Sequence, residues 1–315
     1  MGMLLRRSLV MRTLGRLVLG ASLYAYASVD VAASKEDVVV KPLDIDETSI
    51  AAGIEHSCAI HTQSYDDVGG KVLCWGDDNA GQSSPPSGLF IQVSTGRLHS
   101  CGIRIDETVQ CWGMGAPGKM PEGLFEQVSS GDFHSCGILK DKSIKCWGSM
   151  GGNHQDPPVG KFVQVSCGKD FACALSTDGS VKCWGDNGRG QHRAPENHRF
   201  VQISASPGDF ACGITDKHTI ECWGDNHRKQ CEPPTGDKFV LVSTSRLSAC
   251  AVKEDKRVVC WGMRSGVTSA PTDVMFDELS LGWNHGCGIR YEDGGVQCWG
   301  DRSSSRLDVP SALQR

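Results

Sequence analysis

The tripeptide Cys-Trp-Gly occurs seven times in this chain and constrains the fold more than any other feature. Its cysteines are 35 to 39 residues apart, and a second cysteine precedes each of them. Self-similarity at a period of this size is typical of repeat architectures in which each repeat is one supersecondary unit. The cysteines that we pair within repeats are Cys58 with Cys74, Cys101 with Cys111, Cys136 with Cys146, Cys173 with Cys183, Cys212 with Cys222, Cys250 with Cys260, and Cys287 with Cys298.

Each repeat reads as a set of short strands. In the fourth repeat, residues 162–166 and 181–185 alternate apolar and polar side chains, and 172–176 is a short apolar run. Glycine, aspartate or proline bounds each segment, and nothing between them has the period and length of a helix. The pattern predicts an all-β protein.

The spacing of the cysteines predicts a disulfide across one hairpin of each repeat. Direct pairing of Cys173 with Cys183 centres the turn on Asp178 and puts Gly179 where a left-handed residue is needed. Opposed residues on antiparallel strands have Cα atoms about 4.5–5.5 Å apart, which suits a disulfide. Zinc ligation is disfavoured, because two thiols on one hairpin do not supply four convergent ligands.

The tryptophan follows the cysteine directly, so the two side chains point to opposite faces of their strand. Both faces of each sheet must then be buried, as they are between radially packed blades. We predict a seven-bladed β-propeller with four strands per blade, and an open solenoid is the alternative. The chain is cut inside a repeat, so the C-terminal segment is expected to complete the blade that the N-terminal segment begins. The predicted blade-packing residues are Trp75, Trp112, Trp147, Trp184, Trp223, Trp261 and Trp299.

Cysteine content and the N-terminus both indicate export. Sixteen cysteines favour an oxidising compartment. Residues 1–16 carry four arginines and no acid, and an apolar run ending in Ala25-Tyr26-Ala27 follows, in the order of a secretory signal peptide. We predict a signal peptide over 1–27, with cleavage after Ala33 as an alternative, a polar leader over 28–45 and the propeller over 46–315.

The predicted mature chain is acidic and has no membrane span. Eleven apolar residues are too few to cross a hydrocarbon core, which needs about 20. Removing the four arginines of residues 1–27 changes the formal net charge from −5 to −9. A charge of this sign argues against nucleic acid as a partner. We therefore predict a secreted protein.

The fourth repeat carries Gly168, Leu175, Asp178-Gly179 and Val181, followed by Trp-Gly-Asp-Asn-x-x-Gly-Gln at 184–191. This run resembles the repeat of the regulator-of-chromosome-condensation propellers. The paired cysteines and the ~38-residue period are more similar to two extracellular types, the crinkly-type ectodomain of plant receptor kinases and the propeller-type β-lactamase inhibitor protein. The resemblance extends from residue 46 to about 310. It implies the propeller fold and says little about function, since one fold hosts many functions.

No convergent set of reactive side chains stands out from the repeat, so we predict no catalytic residue, metal or cofactor and no enzymatic activity. The Asp186-Asn187 pair and its equivalents are interpreted as turn residues rather than calcium ligands. Four histidines lie two residues before the first cysteine of a repeat, and phenylalanine or serine takes that place elsewhere, so a structural role is predicted. They are His56, His99, His134 and His285.

Features that occur once are better candidates for function. They are the 62–71 insertion with Tyr65, the additional Trp283, and the unpaired Cys167 and Cys231. A disulfide between these two cysteines, separate free thiols and an intermolecular bridge all remain open at this point.

The inter-blade loops of the fourth and fifth repeats are basic in an otherwise acidic protein. Equivalent loops of consecutive blades emerge side by side, so we predict a basic patch, to which His198 and Arg199 would add, that binds an acidic protein or polyanionic glycan. The alternative is a solvated rim neutralised by its own acids. The predicted binding residues are Arg189, His192, Arg193, His227, Arg228 and Lys229.

Together these features predict a secreted binding module that recognises an extracellular protein or anionic ligand through its propeller loops. The alternatives are a structural or matrix protein, and an inhibitor of a secreted enzyme such as a β-lactamase.

Overall fold

The computed structural model describes residues 50–62, 68–115, 120–150 and 156–314. The predicted signal peptide and leader, and Tyr65, lie outside these residues.

The described chain forms seven antiparallel three-stranded sheets, each built from consecutive strands. Short 3₁₀ turns occupy Gly266–Ser269, Ser303–Ser305 and Ser311–Leu313. The strands of blades 1 to 7 are β1 Ile50–Ala52, β2 His56–His61 and β3 Lys71–Gly76; β4 Phe90–Thr95, β5 His99–Arg104 and β6 Val109–Gly113; β7 Phe125–Ser130, β8 His134–Leu139 and β9 Ile144–Gly148; β10 Phe162–Cys167, β11 Phe171–Ser176 and β12 Val181–Gly185; β13 Phe200–Ala205, β14 Phe210–Thr215 and β15 Ile220–Gly224; β16 Phe239–Thr244, β17 Ser248–Lys253 and β18 Val258–Gly262; β19 Phe276–Leu281, β20 His285–Arg290 and β21 Val296–Gly300.

The prediction of seven blades is confirmed, but the prediction of four strands per blade is wrong. In the described residues the third strand of each blade is the outermost, and turns follow it where a fourth strand was expected. These segments are rich in glycine, aspartate and proline, and proline cannot donate to a β-ladder. Their polar groups bond locally instead, as when Ser83 N and Ser84 Oγ donate to the Asp78 carboxylate at 2.7 and 2.6 Å.

The predicted hairpin disulfides are confirmed. Cys173 lies directly opposite Cys183, with Cα atoms 4.0 Å apart, and the other six pairs have the same arrangement. Gly179 has φ +83° in the turn, the left-handed conformation that the register requires. Four hairpins place a residue with a side chain at this position, also at positive φ: Glu107, Lys142, His218 and Lys256.

Each blade interface joins the disulfide side of one blade to the aromatic side of the next. Between blades 3 and 4, for example, Cys136 and Ile138 pack with Phe162 and Trp184 in one buried cluster. Six of the seven tryptophans are less than 10% exposed, and Trp147 is half-buried. The two faces of each strand are therefore buried in two different interfaces.

The ring closes between blades 7 and 1. Strand β1 contacts β19 and β20 as well as β4. Trp75 Nε1 donates to the Arg306 carbonyl oxygen at 2.9 Å, and Val309 and Leu313 pack in the same cluster as Trp75. The C-terminal segment thus forms the surface on which the tryptophan of the first blade rests.

Candidate functional site

The inter-blade loops are held by buried glutamines. Gln191 is fully buried; its Nε2 donates to Asp186 at 2.9 Å, its Oε1 accepts from Arg189 N at 2.8 Å, and its carbonyl accepts from Trp223 Nε1 at 2.9 Å. Gln82 and Gln230 make the same three contacts in their own loops. The Asp-Asn-x-x-Gly-Gln sequence is therefore a turn that receives the next tryptophan, and the interpretation of Asp186 as a turn residue agrees with this geometry.

The basic residues predicted to bind lie on these glutamine-held loops. Arg189, Arg193 and Arg228 are exposed, and within the described parts of the chain no carboxylate lies within 4.0 Å of them. His227 pairs with Asp225, and Lys229 Nζ is 3.7 Å from the Glu232 carboxylate. Two more of the predicted residues are exposed with them, His227 and Lys229, and His192 is half-buried.

Each inter-blade loop runs from one face of the ring to the other. It begins beside the turn between the first two strands, where Asp186 N donates to the Asp170 carbonyl at 2.8 Å. We call this side the turn face. The loop ends beside the hairpin tips, where Phe200 N donates to the Gly179 carbonyl at 2.8 Å. Arg199 lies on this hairpin face, 4.0 Å from Asp178, so the expectation that the end of the loop adds to the basic patch is wrong.

The turn face carries further cations around the mouth of the central channel. Arg246 lies with its guanidinium 4.5 Å from the ring centroid of Trp283, the additional tryptophan, and Arg97 lies 5.4 Å from that of Phe133. Lys169 occupies the equivalent turn of blade 4. The predicted binding residues do not include these cations, although the turn after the first strand is basic in three repeats and that pattern could have revealed them.

Asp132 is the buried acid of the channel mouth. It is 2% exposed, and burial raises the pKa of its carboxyl to about 6. Arg97 Nη1 lies 3.6 Å away and acts in the opposite direction. The mouth therefore holds a buried acid beside Arg97, while the half-buried Lys169 lies 3.8 Å from the Asp170 carboxylate.

Two belts of polar side chains on the first strands line the channel. Gln164 Oε1 accepts from Ile203 N at 2.8 Å and Nε2 donates back to the Ile203 carbonyl at 3.0 Å. Serine hydroxyls accept a backbone N–H from the next blade at six interfaces, at 2.9 to 3.1 Å. The alternating pattern of residues 162–166, which contains this Gln-Val-Ser run, predicted a strand but not these belts. The belts form hydrogen bonds between neighbouring blades near the axis.

The four buried histidines lie at blade interfaces, and three of them have the structural role that the sequence predicts. Three of them bond a serine of the following blade through Nε2: His56 to Ser100 at 2.7 Å, His99 to Ser135 at 2.9 Å and His285 to Ser57 at 2.8 Å. Burial lowers their pKa to about 3 for His56 and His285 and to about 4 for His99. These rings are neutral at physiological pH.

Both unpaired cysteines are free thiols, so the open question of a Cys167–Cys231 disulfide is answered against it. Cys167 lies at the end of β10 on the channel wall, and burial raises its pKa to about 12. Cys231 lies in an inter-blade loop, with Sγ 3.3 Å from the Asp225 carbonyl oxygen, and burial also raises its pKa to about 12.

The hairpin face has a different character. Tyr291 is 48% exposed, with Lys256 Nζ 5.7 Å from its ring centroid. Val68, Leu89 and Ile105 are exposed apolar side chains near the tips of blades 1 and 2. Exposed apolar residues are common in proteins, so no sequence signal would have singled them out.

Comparisons with known proteins agree with the geometry. The family model of the Regulator of chromosome condensation (RCC1) repeat matches residues 125–155 and 162–191. The ectodomain of the Arabidopsis thaliana receptor kinase ACR4, a CRINKLY WD40 ectodomain, is 30% identical, with a TM-score of 0.69 over 82% of this chain and 97% of that one. The entire ectodomain of the Physcomitrella patens receptor kinase CR4 is 26% identical, with a TM-score of 0.70 over 80% of this chain and 73% of that one.

Two further similarities are narrower. Yeast RCC1 (Prp20), solved with Kap60 bound to it, is 12% identical with a TM-score of 0.66 over 90% of this chain and 89% of that one, and shares the fold alone. The curated serine/threonine-protein kinase-like protein CCR4 of Arabidopsis thaliana is 36% identical over 66 residues, which is 21% of this chain and 8% of that protein's length. No helix among the described residues is long and apolar enough to cross a membrane.

Proposed function

Since this chain belongs to the disulfide-paired RCC1-like propellers of the crinkly ectodomain type, we propose that it is an extracellular recognition module that binds an acidic protein partner through its turn face. Seven hairpin disulfides suit an oxidising compartment. The predicted signal peptide would deliver the chain there. The proposed role is binding, with no reaction catalysed.

One observation carries the proposal: exposed guanidinium groups that have no acidic partner among the described residues lie on loops that buried glutamines hold in place. Arg189 and Arg193 belong to one such loop and Arg228 to the next. A fixed backbone lowers the entropy lost when these side chains bind. Arginine also forms bidentate, charge-assisted hydrogen bonds with carboxylates.

The partner's chemistry follows from the whole basic part of the turn face, which comprises Lys169, Arg189, Arg193, Arg228, Lys229 and Arg246. Trp283 lies beside Arg246 and adds a half-buried aromatic surface. Interfaces gain most of their affinity from a few aromatic and arginine anchors, and charge complementarity raises the association rate. We therefore expect acidic side chains on the partner, together with an apolar group that reaches Trp283.

The test uses two variants of the oxidised chain with equal changes in charge. The first replaces Arg189, Arg193, Arg228 and Lys229 by serine on the turn face. The control replaces exposed lysines of the hairpin side, namely Lys161, Lys182, Lys217 and Lys238, by serine. Biotinylated wild type is cross-linked to proteins of the native secretome, and the captured partner is then titrated against all three chains.

We expect at least a tenfold weaker Kd for the turn-face variant, mostly through a slower association rate, and a near-native Kd for the control. Equal affinity of both variants and the wild type would rule out the proposed surface. A heparin oligosaccharide serves as a second probe. If the turn-face variant loses heparin binding but no protein is captured by the wild type, the ligand is a polyanionic glycan and the protein-binding proposal fails.

A further inference from the structure

One of the four buried histidines lacks the partner that the others have. His134 corresponds to His56, His99 and His285, but blade 4 places Ala172 where the other following blades place serine. His134 is 2% exposed, and neither of its ring nitrogens has a hydrogen-bond partner among the described residues. A buried polar group without a partner costs free energy, so this imidazole needs an explanation.

A free thiol stands beside it. Cys167 ends the first strand of blade 4, at the position that Ser130 holds in blade 3. Its Sγ, a ring nitrogen of His134 and the Sγ of Cys136 lie within 4.8 Å of one another. Cys136 is bonded to Cys146, which leaves the imidazole and the Cys167 thiol as the two strong donors. The two residues that break the repeat thus face each other across one blade interface.

We infer that Cys167 and His134 form a binding site for one soft monovalent metal ion. Cu(I) is the biological ion of this kind. With the bond lengths of zinc sites as a guide, about 2.0 Å to nitrogen and 2.3 Å to sulfur, a linear arrangement would span about 4.3 Å, which a separation of at most 4.8 Å allows. Thiolate ligands select soft ions such as Cu(I). The Cys136–Cys146 disulfide stays intact.

Charge balance favours a monovalent ion over zinc. One thiolate, one neutral imidazole and one monovalent cation sum to zero, so no net charge is buried in the interface. Zn²⁺ would leave a net positive charge, and it takes four ligands in structural sites. Binding replaces the thiol proton by the metal, so one proton is released per ion.

The ion has a route to the site. Cys167 lines a cavity of 150 Å³ at the turn-face end of the central channel, together with Gly131, Asp132 and Gly168. Cys167 is 7% exposed and lines this cavity, whereas His134 is 2% exposed between the blades. Capture would therefore begin at the sulfur and be completed by the ring.

The test uses Ag(I), which has the same charge and softness as Cu(I) and does not change oxidation state. The full chain is purified with its seven disulfides intact, in a Cys231→Ser background that removes the other free thiol. We expect one Ag(I) per chain, with an apparent affinity that falls tenfold for each unit decrease in pH. Cys167→Ser abolishes this binding.

His134→Phe distinguishes the two-ligand site from a lone thiol. The substitution copies Phe171 and Phe210 of the following repeats, which have alanine as their neighbour. We expect Ag(I) affinity to fall at least tenfold, whereas the control His99→Phe leaves it unchanged. X-ray absorption of the wild-type complex should show one nitrogen and one sulfur neighbour. If His134→Phe does not fold, this spectrum tests the inference in its place.

Three results would overturn the inference. They are affinity of His134→Phe within threefold of its parent, an absorption spectrum with sulfur neighbours only, and binding that requires prior reduction of the Cys136–Cys146 disulfide.

Discussion

The His56–Ser100 hydrogen bond joins the first two blades and can be tested with side chains that the protein itself uses elsewhere. The Nε2–Oγ distance is 2.7 Å, and both residues are fully buried. Between blades 4 and 5 the equivalent pair is Phe171 and Ala211, which needs no hydrogen bond. Ser100→Ala leaves the imidazole without this partner, which should lower the free energy of unfolding by about 1–3 kcal/mol.

The same substitution should cost much less once His56 is phenylalanine. Ser100 Oγ then keeps its 3.1 Å bond to the Gln82 carbonyl and its 3.9 Å contact with Cys58 Sγ, and the Gln82 carbonyl keeps the Trp112 indole as a donor. We expect a coupling energy of about 1–2 kcal/mol between His56→Phe and Ser100→Ala. Equilibrium unfolding in guanidinium chloride at pH 7.5, with the disulfides intact, measures all four chains. Additive effects of the two substitutions would refute the reasoning.

Three further predictions concern pH, ring closure and backbone conformation. Burial holds the pKa values of the four buried histidines at about 3 to 4, below the value near 6.5 in the unfolded chain. Below pH 6.5 the unfolded chain therefore binds more protons than the native protein does. The free energy of unfolding should therefore be highest above pH 6.5 and fall as the pH decreases toward 4. The raised pKa of Asp132 has the opposite effect on stability but offsets only part of this loss. An unfolding midpoint in guanidinium chloride that is the same at pH 7.5 and pH 5 would contradict the prediction. Leu313→Ala should lower the free energy of unfolding by about 2–3 kcal/mol, because Leu313 is buried against the first blade. Amide hydrogen exchange should become faster first in β1 to β3. Equally faster exchange in all blades would argue against ring closure by the C-terminal segment. His218→Gly should be about 1 kcal/mol more stable than His218→Ala in chemical unfolding, because φ is +61° there; equal stabilities would show that the turn relaxes.

The number of blades, the strand register and the disulfides can be predicted from the amino-acid sequence alone. These features follow from local rules. Seven copies of one period make the repeat clear despite variation at single positions, and two cysteines ten residues apart can lie opposite each other in only one short hairpin. The direct succession of cysteine and tryptophan also determined that both faces of the strand are buried. The fourth strand was predicted wrongly because it rested on the general propeller pattern and not on residues of this chain.

Which side chains meet across blades can be seen only in the folded ring. His134 and Ala172, or Gln191 and Trp223, are more than 30 residues apart in the sequence, so neither the unpartnered imidazole nor the indole acceptor can be found within one repeat. The folded ring also places the two ends of a basic loop on different faces, since Asp186 N bonds the Asp170 carbonyl on the turn face and Arg199 lies 4.0 Å from Asp178 on the hairpin face. The physical reason is that a closed ring brings together residues one repeat apart, whereas charge and burial patterns along the chain report only on near neighbours.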